Sequence, residues 1–326
     1  MAAQEFMGEQ DRSDVFDLSS RYARSVLREI RRLGPRELDA SHVAVELRTP
    51  DLRVAVHRGR NVVSDYRLLA LASPFLEFHG RIALTLVLEG GARFEEGGRR
   101  AFLEPGDLVL DALSGTEAHG GVTSEVLVLE WNPVFGGAPE AGRFELARLG
   151  PRDHERIAAL ARTFDRDASV DTMVTLLDIV RSVGVPLERL TRGDVEHGAA
   201  QPEQQALADA VTTSLSHLEG LPAIEEVSDA LGLPQRTVNR RLRAMADEYN
   251  LSWTHWRSAL HQTRVLTAIR LLAAPGATTE LVARLSGFRS PTGLCHAFAE
   301  AGLPSPGVLA RSARRDVLAA WADYGH

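Results

Sequence analysis

The last third of the chain repeats one short pattern twice, and this repeat restricts the possible fold more than any other feature. In residues 223–245 apolar positions recur at helical spacing, stop at Gly232 and resume after Pro234. Residues 278–298 follow the same scheme with the break at Gly287. Glycine suits the left-handed position that ends a helix, and proline suits the first turn of the next. The sequence therefore predicts two helix-turn-helix units.

A long helix is predicted between the two units. Residues 256–272 carry apolar side chains at helical spacing, and Pro275-Gly276 ends the pattern. Thr278 and Ser290 precede the helices of the second unit, where such side chains commonly cap the first turn. We expect this linking helix to act as a rigid spacer.

The second helix of the first unit has a polar outer surface. Val238 and Leu242 would face the core and leave Gln235, Arg236, Thr237, Asn239, Arg240 and Arg243 on the other faces. A helix fits the major groove of B-DNA, where arginine pairs with guanine, asparagine pairs with adenine and further arginines neutralise phosphates. A solvated arginine-rich face is the alternative, and the second copy of the unit favours DNA binding.

Residues 204–315 resemble the DNA-binding domain of the AraC/XylS family of transcription regulators. The segments that carry the resemblance are LGLPQRTVNRRL (231–242), RVLTAIRLL (264–272), VARLSGFRS (282–290) and Ser305-Pro306. The resemblance implies recognition helices at about 235–245 and 291–301, held so that both enter successive major grooves on one face of the DNA.

The second recognition helix departs from the family pattern. It has His296 where an arginine is usual, and Ala299 and Glu300 where basic residues are usual. The first unit is therefore expected to carry most of the base reading. The second unit would contribute chiefly through Arg289, Ser290, Thr292 and His296.

The pattern between residues 42 and 131 changes to short alternating runs separated by Gly, Asp and Pro, which indicates antiparallel strands. The candidates are 43–47, 52–57, 84–88, 92–94, 101–103, 108–110 and 126–131, with tight turns at Gly90-Gly91 and Gly97-Gly98. Residues 84–110, with Pro105-Gly106-Asp107, resemble the cupin-like sensor domain that precedes many AraC-type domains. The expected fold is α+β, with an N-terminal cupin-like β-barrel and flanking helices before an all-α domain of two helix-turn-helix units.

Five regions are expected along the chain. They are a sensor domain with an N-terminal helix (1–150), a helical dimerisation or packing segment (151–190), a linker (191–203), the DNA-binding domain (204–315) and a C-terminal tail (316–326). Residues 14–33 predict an amphipathic helix that packs as a lid on the sheet. Apolar stripes predict helices at 153–164 and 170–180, and the polar segment 191–203 suits a linker.

Charge and residue usage exclude several kinds of chemistry. The chain has a formal net charge of −7, but residues 203–315 hold 12 arginines against 10 acidic residues, a net charge of +2. All 37 Lys plus Arg residues are arginine, which excludes a P-loop and lysine-based covalent chemistry. Cys295 is the only cysteine, so no intrachain disulfide or cysteine-based zinc site can form, and we expect it to fill space.

No metal or cofactor is predicted. Metal-binding cupins place two histidines one residue apart with a glutamate and a later histidine, whereas this chain offers His79 without such a partner and His119 beyond the Pro-Gly-Asp turn. The chain is therefore not expected to be an enzyme. A cupin-type metalloenzyme with an accessory helical domain remains an alternative, as does a helix-turn-helix protein that binds a protein partner.

Together the resemblances imply a sequence-specific transcription regulator, more usually an activator, whose N-terminal domain senses a small molecule or a protein. Expected partners are double-stranded promoter DNA, RNA polymerase if the chain activates, an unidentified effector and a second copy of the chain. No apolar run is long enough to span a bilayer, and the N-terminus lacks signal-peptide features, so a cytoplasmic location is expected.

Overall fold

The computed structural model describes residues 26–60 except 36 and 39, 81–111 except 97 and 98, 117–136, 145–249 except 186 and 188, and 251–312 except 252. An antiparallel β domain comes first and a set of helices follows, which confirms the expected fold class. The predicted helix before residue 26, His79 and the tail 316–326 lie outside these ranges.

The strands of the β domain are β1 (Leu27–Leu33), β2 (Ser41–Arg48), β3 (Leu52–Arg60), β4 (Ile82–Glu96), β5 (Arg99–Leu103), β6 (Asp107–Asp111), β7 (Glu117–Trp131) and β8 (Glu145–Arg148). They form one antiparallel sheet in the order β1-β2-β3-β7-β4-β6-β8, with β5 also paired to β4. In the described strands β1 and β8 are the two ends of this sheet and do not pair, so it is not closed into a barrel by hydrogen bonds.

The strand candidates are confirmed, but the turn expected at Gly90-Gly91 is wrong. Strand β4 continues through both glycines, and its pairing with β7 shifts register between Val87 and Glu89 and again between Gly90 and Ala92. Gly90 has φ of 75°, a value that a bulge tolerates at glycine. The long partner β7 keeps both halves of β4 paired, so the glycines bend the strand instead of ending it.

Residues 27–33 are an edge strand, which corrects the helix predicted over 14–33. Strand β1 pairs with β2 over its whole length, from Leu27 opposite Arg48 to Leu33 opposite His42. Backbone pairing satisfies the donors and acceptors that β1 and β2 turn toward each other, and it overrides the helical spacing of the apolar residues.

The two faces of the sheet differ in chemistry. One face carries Leu47, Val54, Leu129 and Trp131 and packs on helices α1 (Pro151–Ala161) and α2 (Val170–Ser182). The opposite face carries buried charges.

Arg53 lies at the centre of these charges. Its Nη2 donates to Glu46 Oε1 at 3.1 Å, and its Nη1 pairs with Glu130. Burial would lower the pKa of Arg53, but Glu130 and Glu46 raise it above its ordinary value. The guanidinium therefore stays charged and links β2, β3 and β7.

The segment expected as a linker contains a short helix and two buried residues, Val195 and Ala200. Helix α3 (Arg192–His197) begins at Thr191, which forms a reciprocal cap with Asp194, and Val195 is buried. A Cβ placed on Gly198 would lie 2.7 Å from the Cβ of Thr49, so the chain passes close to the turn between β2 and β3. The boundaries of the predicted domains stay predictions.

The C-terminal helices are α4 (Pro202–Leu215), α5 (Ile224–Leu231), α6 (Gln235–Tyr249), α7 (Trp256–Leu272), α8 (Thr279–Leu285) and α9 (Pro291–Glu300), and residues 306–312 are also helical. Both predicted helix-turn-helix units are present, as α5–α6 and α8–α9, and α7 has the predicted bounds. Among the described helices none has the length and apolar character needed to cross a membrane.

Local signals in the sequence account for these helix ends. Gly232 ends α5 in the left-handed region with φ of 61°. Thr278 Oγ1 accepts from the Leu281 backbone N–H at 3.2 Å, and Ser290 Oγ accepts from that of Gly293 at 3.2 Å. These caps satisfy donors that a helix start otherwise leaves unpaired.

Candidate nucleic-acid interface

Helix α6 presents three arginines to solvent. Val238 and Leu242 are fully buried in the core of the first unit, and this fixes the orientation of the helix. Arg236, Arg240 and Arg243 lie on the opposite side and are exposed. Within the described residues none of the three pairs with a carboxylate. Their guanidinium groups are therefore available to an external anion or base edge.

The remaining residues predicted to bind DNA on α6 are hydrogen-bonded within the protein or partly buried. Gln235 Nε2 donates to Glu225 Oε1 of α5 at 2.9 Å, which ties the two helices of the unit. Thr237 is half-buried. Asn239 is also half-buried, and its Oδ1 accepts from the Trp256 backbone N–H at 3.2 Å.

The bond of Asn239 favours a positioning role over base reading. Trp256 is the first residue of α7, where the backbone N–H has no partner within its own helix. By accepting from it, Asn239 joins α6 to the linking helix α7. The two residues are 17 positions apart, so no local pattern in the sequence indicates the contact.

The second unit offers a smaller and less basic surface. Leu294 and Phe298 of α9 are fully buried, and Thr292 and His296 are exposed on the other side. Arg289 and Ser290 are exposed just before the helix, where the Ser290 hydroxyl is engaged in the cap. Cys295 is exposed, so the expectation that it fills space is wrong. The buried side of α9 is formed by Leu294, Ala297 and Phe298.

Close contacts hold the second unit against the segment that precedes the first. Gly287 adopts φ of 77°, and a Cβ placed on it would lie 2.5 Å from the Leu218 carbonyl oxygen. Arg284 Nη1 donates to Glu219 Oε1 at 2.8 Å in the same region. Together with the Asn239 bond, these contacts fix the two units relative to each other.

The hairpin of β1 and β2 joins the β domain to the helices. Gln205 of α4 is buried, and its side-chain amide bonds the outer edge of β1 as the backbone of another strand would. Its Oε1 accepts from the Arg28 backbone N–H at 2.8 Å, and its Nε2 donates to the Arg28 carbonyl at 3.0 Å. Glu37 pairs with Arg284 at 2.9 Å. Leu38 and Ala40 are buried in the core of the second unit. Leu27 of β1 is buried in the core of the first unit, so the hairpin contacts both units.

A buried histidine lies at the same junction. His42 is 1% exposed, and its ring centroid is 5.6 Å from that of His57. Burial lowers the pKa of His42 well below its ordinary value, and the charge of Arg270 on α7 lowers it further. His42 is therefore neutral at neutral pH, between the sheet and the linking helix.

The prediction of no metal stays a prediction. In the described ranges no three His, Cys, Asp or Glu side chains come together as a group that could hold a metal ion. His79 lies outside these ranges, as does the side chain of His119 in β7.

No protein-family model matches the chain, and no curated protein matches it. Similar solved structures include ToxT from Vibrio cholerae, at 10% identity over 79% of this chain and 97% of that chain with a TM-score of 0.33. The AraC-like transcriptional activator CuxR shows 15% identity over 68% and 80%, with a TM-score of 0.30. KdgF from Halomonas sp. shows 18% identity over 32% and 86%, with a TM-score of 0.23.

Proposed function

We propose that this chain is a sequence-specific DNA-binding transcription regulator of the AraC type, with an N-terminal β domain that senses an effector. The observation that supports this function best is a set of exposed arginines on the second helix of a helix-turn-helix unit, Arg236, Arg240 and Arg243. None of them pairs with a carboxylate among the residues that the structure describes. Arginine on such a helix pairs with guanine in the major groove. No enzymatic activity, metal or cofactor is part of the proposal.

The two units would contribute unequally to DNA binding. The arginines of α6 would read bases and contact phosphates in one major groove. The second unit, with Thr292 and His296 outward and Arg289 beside them, would contact the next groove more weakly. A second copy of the chain would supply another pair of units, and a cytoplasmic location gives access to promoter DNA. Activation through RNA polymerase is the more usual outcome for such regulators.

Coupling between effector and DNA would pass through the β1–β2 hairpin. The hairpin belongs to the sheet of the β domain and contacts the cores of both units. An effector that binds differently to two arrangements of this junction would shift the population between them and so change DNA affinity.

The hairpin contact can be tested by removing the Gln205 amide. The variant Gln205→Ala leaves the Arg28 backbone N–H and carbonyl without their partner, at a cost of about 1–3 kcal/mol. We expect hydrogen exchange to become faster in β1, while exchange in the α5–α6 core stays as in the wild type. Thr213→Ala, at an exposed position of the same helix, serves as the matched control. Unchanged exchange in β1 would contradict a role for this contact in holding the domains together.

The function itself is tested by selection of duplexes from a random-sequence DNA library with the full chain. We expect a shared sequence to be enriched, and its affinity to fall steeply as salt increases, because arginine contacts release counterions from the phosphates. Failure to enrich any sequence would contradict the proposal and favour the alternative of a helix-turn-helix protein that binds a protein partner. Stoichiometric iron, zinc or manganese in the purified chain would instead favour the metalloenzyme.

A further inference from the structure

The linking helix α7 has a basic stripe on its solvent side, formed by Arg257, His261 and Arg264. These positions are four and three residues apart, so they lie along one side of the helix. Arg257 is exposed, and His261 and Arg264 are half-buried. Trp256 and Ala259, on other sides of the helix, are buried. The helix contains no acidic residue that could neutralise the stripe.

Each end of the stripe lies beside one recognition helix. At the N-terminal end, the Trp256 backbone N–H bonds Asn239 of α6, directly next to Arg257. At the other end, the Nε of Arg264 lies 3.1 Å from where a Cβ on Gly287 would be, in the turn that leads into α9. Arg289 follows that glycine by two residues. The stripe therefore runs from one candidate DNA-reading helix to the other.

The positive charge at the second end is not compensated by the protein. Within the described residues neither Arg264 nor Arg289 pairs with a carboxylate, and the Arg264 Nε is buried without a hydrogen-bond partner. Burial lowers the pKa of Arg264, and the nearby charge of Arg289 lowers it further. The two positive guanidinium groups lie close together without a carboxylate between them. An anionic oxygen bound to both groups would stabilise this arrangement.

We propose that the basic stripe, together with Arg289, binds phosphates of the DNA backbone between the two major grooves that the recognition helices enter. The linking helix is then a DNA-contacting element as well as a spacer. This inference rests on the proposed function. Phosphate contacts fix the register of a protein on the duplex and carry no base preference.

The test measures affinity as a function of salt for the full-length variants Arg257→Ala and Arg264→Ala. Two probes are used, a duplex recovered by selection and a mixed-sequence duplex of the same length. Each variant is expected to bind both probes roughly tenfold more weakly at low salt. The negative slope of log affinity against log salt should become shallower by about one. The ratio of the two affinities should not change. Arg152→Ala, at an exposed position of α1, is the matched control and should behave as the wild type.

The outcomes separate this inference from the proposed function. If both variants keep the wild-type affinity and salt slope while Arg240→Ala loses its preference for the selected duplex, the stripe does not contact DNA and the function stands. If the wild-type chain binds neither duplex, both proposals fail. If Arg264→Ala is destabilised in thermal denaturation, Arg257→Ala decides the question, because its side chain is exposed.

Discussion

Replacing Arg240 with alanine is expected to remove most of the sequence preference of this protein for DNA while leaving its fold intact. The side chain is exposed in the middle of the arginine face of α6, and no described residue pairs with it. An arginine that bonds a guanine through two hydrogen bonds contributes about 1–3 kcal/mol of discrimination, which corresponds to roughly 5- to 150-fold. The measurement compares the affinities for the selected and mixed-sequence duplexes, with the thermal midpoint as the test of folding.

Asn239→Ala, one position earlier on the same helix, provides a contrast. It removes the acceptor for the Trp256 backbone N–H, so we expect a lower thermal midpoint and weaker binding that follows from a misplaced α6. Asn239→Asp keeps an acceptor oxygen and should restore most of the thermal stability. If both Asn239 variants were as stable as the wild type but lost preference at one base position, asparagine would be a base reader after all.

His296→Ala is expected to reduce affinity less than Arg240→Ala does, because α9 offers fewer charged groups. An equal or larger loss would show that the second unit carries as much base reading as the first. Unchanged preference in Arg240→Ala would remove the central assignment of the proposed function.

Replacing Gly287 with alanine is expected to destabilise the C-terminal helical domain more than any other single methyl addition at its turns. The new Cβ would lie 2.5 Å from the Leu218 carbonyl oxygen, and backbone atoms cannot move away without shifting the segment before the first unit. The left-handed φ of 77° adds to the cost. Left-handed strain of about 1–2 kcal/mol and overpacking of about 1–3 kcal/mol together predict a loss of about 2–5 kcal/mol.

Gly232→Ala is the matched control for this prediction. Gly232 has φ of 61°, close to that of Gly287, but a Cβ there would meet nothing within 4 Å. Its loss should be limited to the left-handed strain, about 1–2 kcal/mol. Urea denaturation of the two variants measures the difference in their free energies of unfolding. In a separate DNA footprinting experiment, a protected region shortened on one side in Gly287→Ala would show that the second unit no longer binds. Equal stability of the two variants would mean that the contact with Leu218 is unimportant.

Most of the helical domain could be predicted from the sequence. The features predicted correctly depend on residues only a few positions apart, which the periodicity of the sequence reveals. They are the bounds of α7, the starts of α6 and α9, the glycine turns and the caps at Thr278 and Ser290. The exposed arginines of α6 followed from the same periodicity, because the buried Val238 and Leu242 leave the opposite side to solvent.

The β domain was predicted less completely, because strand pairing is not local. Residues 27–33 have a helical spacing of apolar side chains, yet β2 supplies an open edge that turns them into a strand. The glycines at 90 and 91 resemble a tight turn, yet the long partner β7 keeps the chain extended through them. In both places a partner distant in sequence decides the local conformation.

The sequence by itself determined the tandem units and the faces their helices turn outward, because side-chain periodicity and helix-ending residues act within a few positions. Only the tertiary structure decided that Asn239 bonds the linking helix, that Gln205 holds the edge strand from 177 positions away, and that Arg264 lies against the turn at Gly287. Each of those contacts joins separate elements that the packed cores bring together. Their geometry is set by the packing of whole elements and has no signature in any short stretch of residues.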